Sequence, residues 1–188
     1  MKLYLVQHGD SLPEEVNPER PLSERGRRDV VRLAEFLGQR GIRVRQICHS
    51  GKTRARETAE LLAAQVAPGA AAAAMNGINP NDPVEPVAER IKGWNDDTLL
   101  AGHMPLMGRL AALLLAGKSE SMVVAFQPGS VVCLERTVAG AWAVIWMLRP
   151  ELLQLLSEQG LSTSIRFSQS PNHLEPISKI KTTTSNRR

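Results

Sequence analysis

A run of four apolar residues, Leu3-Tyr4-Leu5-Val6, stops abruptly at Gln7-His8-Gly9-Asp10, and this stretch constrains the fold more than any other. Successive side chains of a strand point to opposite faces, so an unbroken apolar run must be covered on both, as in the middle of a parallel sheet. In such sheets ligands bind beyond the carboxyl ends of the strands. Gly9 lets the backbone turn there and pass close to a ligand, which puts His8 where chemistry is done. A lone histidine after a strand is more commonly a hydrogen-bonded loop residue than a catalyst, so the rest of the chain has to decide between the two.

Strand, crossover helix, next strand is the order that follows. Ser23 is the expected N-cap of a helix over 24–40, with Val30, Val31, Ala34 and Leu37 as its apolar stripe and Gly41 as its stop. Val44 to Cys48 reads as the second strand, ending in His49-Ser50-Gly51. Ala55, Ala59, Leu62 and Val66 fall at helical spacing in 52–66, which places Arg54 at or just before the first turn of a second helix. Ala70 to Met75 reads as a short edge strand. Asp82, Pro83 and Glu85 have the spacing of a capping box that opens a helix to about Gly93. Thr98 to Ala101 then repeats the opening device: a buried strand, Gly102-His103-Met104-Pro105, and a helix to about Ala116. Ser130–Glu135 and Ala141–Leu148 alternate around a turn containing Gly140, and a helix over Glu151–Ser157 closes the domain. The pattern predicts an α/β fold: a single domain over residues 1–159, with a mostly parallel central sheet and helices on both faces. Residues 160–188, rich in Ser, Thr, Pro and Asn, read as a basic, mobile tail.

A length of 188 residues suits one such domain. The formal charge of +4 and pI near 9.4 raise the question of a nucleic-acid partner, and the location of the charge answers it. Arg166, Lys179, Lys181, Arg187 and Arg188 against Glu175 carry the whole excess, so residues 1–159 are formally neutral and no nucleic-acid partner is expected. Cys48 and Cys133 sit in strand-like segments without a Cys-x-x-Cys pair and read as buried free thiols. No apolar run approaches the roughly 20 residues of a membrane span. The N-terminal run is also too short for a signal-peptide core, so a cytoplasmic, reducing location with no membrane partner is expected.

Three strand ends carry groups suited to a phosphoryl group: Gln7-His8, Ser50 leading to Arg54, and His103 before a helix. A neutral imidazole at His8 can attack phosphorus and form a transient phosphohistidine. Arg54 offers a planar fork for two non-bridging oxygens. His103, protonated or donating a hydrogen bond, can stabilise the equatorial oxygens, and the helix beginning near Pro105 adds amides aimed at an anion. No metal or other cofactor is required, and no His-x-x-x-His pair occurs. The sequence alone does not order the strands.

Gln7-His8-Gly9 after a strand, Arg20-Pro21-Leu22-Ser23-Glu24-Arg25-Gly26, Ser50 with Arg54-Ala55-Arg56-Glu57-Thr58-Ala59, and Gly102-His103-Met104-Pro105 resemble the ordered motifs of the histidine phosphatase (phosphoglycerate mutase-like) superfamily. The short length, Gly129-Ser130-Val131 and Trp146 to Pro150 resemble most its SixA-type phosphohistidine phosphatase branch. The resemblance covers about residues 1 to 153. It implies a phosphoglycerate mutase-like fold, His8 as nucleophile, Arg54 as phosphate clamp and His103 as second pocket histidine, with Gln7, Gly9 and Arg20 on the phosphate-binding side.

The superfamily usually has arginine where this chain has Gln7. Glutamine still donates a hydrogen bond, but a charge-assisted bond is roughly twice as strong as a neutral one. Arg20 is the residue expected to restore part of that charge. The alternative is a weakened or inactive module that binds phosphorylated ligands. An alkyl phosphate expels a poor leaving group and needs a placed acid, whereas a phosphoramidate does not. Asp82 and Glu85 have the capping role, Asp96 and Asp97 read as a polar turn, and Asp10 lacks support, so a phosphohistidine on a partner protein is the expected substrate. A small-molecule phosphomonoester phosphatase or mutase is the competing enzyme reading. A metal hydrolase built on His8, His49 and His103 is disfavoured, because His49 has a ready role as a strand-end residue. His173 and the basic residues of the tail read as solvated, or as a dock for an acidic partner.

Overall fold

The computed structural model describes residues 1–121 and 123–158. The mobile tail expected at 160–188 therefore lies outside the described residues. One six-stranded mixed sheet runs through the molecule in the order β3-β2-β4-β1-β5-β6. The strands are β1 (Lys2–Gln7), β2 (Gln46–His49), β3 (Ala73–Ala74), β4 (Thr98–Gly102), β5 (Val131–Arg136) and β6 (Trp142–Leu148). β3, β2, β4 and β1 are mutually parallel, while β5 runs antiparallel to both β1 and β6.

The alternation in β1 explains why it is apolar throughout. Tyr4 and Val6 enter one core with Val30, Leu33 and Leu37 of α1 (Glu24–Gln39) and Leu62 and Val66 of α2 (Thr53–Val66). Leu3 and Leu5 enter a second core with Val87 and Ile91 of α3 (Glu85–Lys92) and Leu106, Met107 and Leu110 of α4 (Leu106–Ala116). The last helix, α5 (Pro150–Glu158), adds Leu153 to the first core. Helices thus cover both faces of the sheet, as the unbroken apolar run requires.

Ser23 caps α1 as expected: its Oγ accepts the Gly26 amide at 3.0 Å. The buried stripe contains Leu33 where the sequence suggested Val31, which stays half-exposed. Val44 is buried but outside the ladder, because its amide donates to Val66 at the end of α2. Asp82 does not cap α3. Its Oδ2 accepts the Asn79 amide at 2.8 Å and closes the turn before the helix, while Val84 occupies the cap position without a side-chain bond. The Pro at the start of the helix is therefore Pro86, in place of Pro83, which the sequence suggested.

Where the chain leaves β1 it packs hard against α1. A Cβ on Gly26 would lie 2.0 Å from the Asp10 carbonyl oxygen, and one on Gly9 would lie 2.8 Å from Val30 Cγ2. Alanine in place of glycine inside a helix ordinarily stabilises by about 1 kcal/mol. Here overlap with backbone, which cannot swing away, outweighs that gain. Gly26→Ala is expected to destabilise the fold by about 1–3 kcal/mol. A lower denaturant midpoint at unchanged slope is the outcome to look for, and a stabilised variant would contradict the close packing.

Candidate active site

β4 lies between β1 and β2 in the sheet, with Gln7 in register with Gly102 and His49 with Ala101. The three parallel strands therefore end side by side, and the loops after them deliver His8, Ser50 with Arg54, and His103 to one place. This is the arrangement in which a doubly covered sheet binds its ligand. The His8 and His103 rings lie 4.8 Å apart between centroids.

His8 is held at both nitrogens. Its Nδ1 lies 2.7 Å from the Gly9 carbonyl oxygen, which can only accept, so Nδ1 carries the proton. Nε2 consequently carries the lone pair, which accepts a hydrogen bond from Arg54 Nε–H at 3.1 Å. Burial pulls the His8 pKa down to about 4, and the charges of Arg54 and Arg20 add to the shift, against the opposing effect of the Gly9 bond. The imidazole is therefore neutral at pH 7, in the tautomer that aims a lone pair at the pocket. Among the described residues nothing hydrogen-bonds the terminal nitrogens of Arg54, so its fork is open to an anion.

His103 is buried, with Nε2 2.6 Å from Ser50 Oγ. Burial, then the neighbouring His8 and Arg54, lower its pKa to about 3. The amide of Met107, in the first turn of α4, is bonded to the His103 carbonyl at 2.9 Å. Arg20 has a left-handed backbone (φ 48°), and its Nε donates to the Leu12 carbonyl at 3.3 Å. Its charge depresses the pKa values of His8, Arg54 and His103, which places it beside the pocket. Gln7 is buried, and its Oε1 has no hydrogen-bond partner.

Two residues quoted in the sequence motifs acquire roles that the sequence did not supply. Thr58, one helical turn after Arg54, accepts the Gly9 amide on its Oγ1 at 3.1 Å and donates to the Arg54 carbonyl at 2.7 Å. Glu57 Oε2 accepts the Leu22 amide at 2.7 Å, and Ser23 Oγ donates to Asp10 Oδ2 at 2.5 Å. Both contacts tie the loops around His8 to α1 and α2. The i, i+4 spacing of Arg54 and Thr58 was the available signal that they share a helix face. His49 stands apart from the pair: its Nδ1 accepts the Gly51 amide at 3.0 Å and shapes the turn that carries Ser50.

Two of the candidate carboxylates, Asp97 and Glu85, lie elsewhere. Asp97 accepts the Lys2 amide at the opposite end of the sheet, and Glu85 lines a cavity of about 690 Å³ between α3, α4 and the β5–β6 hairpin. No group of three or more His, Cys, Asp or Glu side chains is placed to hold a metal ion among the described residues.

Residues 3–75, which contain His8, Arg20 and Arg54, match the family model of the histidine phosphatase superfamily (branch 1). The matched stretch runs from β1 to just past β3 and leaves β4, β5 and β6 outside it. The fold of the chain is similar to that of the protein histidine phosphatase SixA solved with tungstate, at a TM-score of 0.72 and 21% identity over 81% of this chain and 99% of that one. A mutant phosphoserine phosphatase from Entamoeba histolytica, solved with phosphoserine, aligns at a TM-score of 0.61 and 13% identity, covering 80% of this chain and 98% of that one. An uncharacterized protein of Picosynechococcus is 29% identical over 126 residues, 63% of this chain and 76% of its own length.

The pKa shifts have a pH consequence. His8 and His103 bind protons more weakly in the folded state than in the unfolded one, where both titrate near 6.5. Stability is therefore fully present above about pH 6.5 and falls as the pH drops toward 4 and 3. In the same range the acid limb of kcat/KM, which reports the free enzyme, is expected near pH 4. An acid limb at 6.5, or a His8 ring titrating there by NMR, would show that burial does not control His8.

Proposed function

We propose that this chain is a phosphatase that transfers a phosphoryl group to His8 Nε2 and releases it to water, acting on phosphohistidine carried by a partner protein. The observation that carries the reading is the two-sided hold on His8: Gly9 fixes the proton on Nδ1 and leaves Nε2 beside the Arg54 fork. In-line attack by that lone pair, once Arg54 Nε–H turns from it to the phosphoryl oxygens, forms the N–P bond as the bond to the leaving group breaks. Arg54 and Arg20 then face the charge on the equatorial oxygens, and no metal enters the scheme.

The substrate class rests on the leaving group. No described carboxylate hydrogen-bonds His8, Arg54 or His103, and Asp10, the nearest one by its electrostatic effect on His8, accepts the Ser23 hydroxyl. A site without a poised acid suits a leaving group that departs without one, as the imidazole of a phosphoramidate does. Gln7 supports a second reading, a site that binds phosphate with little turnover, since it leaves the pocket one fixed cation short of the family pattern.

Incubation in EDTA with a phosphohistidine protein and with an alkyl phosphate tests the proposal. Phosphate release from the first only, abolished by His8→Ala, is expected. Efficient release from the alkyl phosphate would favour a small-molecule phosphatase, and phosphate binding with no acid-labile phosphate trapped on His8 would favour the binding module. Arg54→Ala is expected to lower kcat/KM by about 10²–10³, the cost of one preorganised donor to the transition state. Arg20→Ala is expected to weaken turnover and phosphate affinity together, and unchanged values for both would remove Arg20 from the site.

A further inference from the structure

Thr58 is fully buried on the face of α2 that also carries Arg54, one helical turn earlier. A threonine inside a helix commonly returns its hydroxyl proton to the carbonyl four residues back, and Thr58 does so with the Arg54 carbonyl at 2.7 Å. The same oxygen also accepts the Gly9 amide at 3.1 Å, from 49 residues away in sequence. Gly9 is buried, and among the described residues Thr58 is the partner of its amide. Four hydrogen bonds thereby close a circuit. Gly9 N–H donates to Thr58 Oγ1, Thr58 O–H to the Arg54 carbonyl, Arg54 Nε–H to His8 Nε2, and His8 Nδ1–H to the Gly9 carbonyl.

The bond between Arg54 and His8 is the member of that circuit that has to open, because Nε2 must be released before it attacks phosphorus. Once it opens, the Thr58 hydroxyl is the remaining hydrogen-bonded link, among the described residues, between the Arg54 turn of α2 and the His8-Gly9 backbone. We propose that Thr58 is a positioning residue that keeps His8 in register with Arg54 while the direct bond between them is broken. Thr58 itself touches neither the substrate nor the reacting atoms. The inference rests on the reading of His8 as nucleophile and Arg54 as phosphate clamp.

Thr58→Val keeps the β-branch and removes both bonds of the hydroxyl, whereas Thr58→Ser keeps both. With para-nitrophenyl phosphate, Thr58→Val is expected to lower kcat by about tenfold to a hundredfold, the effect of misplacing an attacking group by up to about 1 Å. Inorganic phosphate, which binds without being attacked, is expected to keep its affinity, and Thr58→Ser to recover most of kcat. In an Arg54→Ala background the valine change is expected to lower kcat by less than about threefold, since no clamp is left to register. Equal losses in both backgrounds, a serine variant no better than valine, or phosphate affinity falling in step with kcat would each overturn the proposal. If Thr58→Val fails to fold, two other measurements decide. The Gly9 amide of the unaltered protein is expected to be protected from hydrogen exchange and Thr58→Ser to retain kcat, and failure of either overturns it. If the unaltered chain traps no acid-labile phosphate on His8, the reading of the nucleophile falls and this proposal with it. If it does trap phosphate and Thr58→Val turns over as fast, only the role of Thr58 falls.

Discussion

The Gly9-Asp10 backbone lies so close to α1 that no Cβ fits at Gly26, and the placement of His8 follows from that contact. The close approach lets the Ser23 amide reach the Asp10 carbonyl at 2.9 Å and brings Thr58 onto the Gly9 amide. With Gly9 fixed from both sides, its carbonyl is held where it accepts the His8 Nδ1 proton. A ring tautomer is thus set by helix packing one residue away from it.

Charge in the pocket is set by burial more than by residue count. Two imidazoles side by side would repel if both were protonated, and burial keeps both neutral, so the fixed positive charge comes from Arg54, Lys52 and Arg20. Gln7 adds no charge to the cleft and leaves a carbonyl oxygen buried without a partner, as His103 leaves its Nδ1. Unsatisfied buried polar atoms of this kind carry a physical cost.

Much of this was legible in the sequence, for identifiable reasons. The unbroken run Leu3–Val6 demanded cover on two faces, and glycine-histidine pairs after strands marked the cleft. Ser23 capped its helix because a serine hydroxyl has a local amide to satisfy. Asp82 misled because the same side-chain oxygen serves a turn as readily as a helix cap, and a spacing of three residues fits both. Strand order was not legible, since it depends on which distant segments pair. Glu57 and Thr58 were visible only as motif letters, because their partners, Leu22 and Gly9, lie far from them in sequence.

The pairing pattern also bears on how the chain comes into being. β1 pairs with β4 and β5 alone, so Leu3 waits for Thr98 and Leu134. At about 5–20 residues per second, the ribosome takes on the order of ten seconds to supply them. During that interval the fully covered run Leu3–Val6 lacks both of its neighbouring strands. His8 precedes His103 by most of the domain, so its pocket is incomplete until the chain past His103 has emerged. A nascent chain therefore carries a sticky segment that a holding chaperone can grip, and chemistry begins only once the fold is closed.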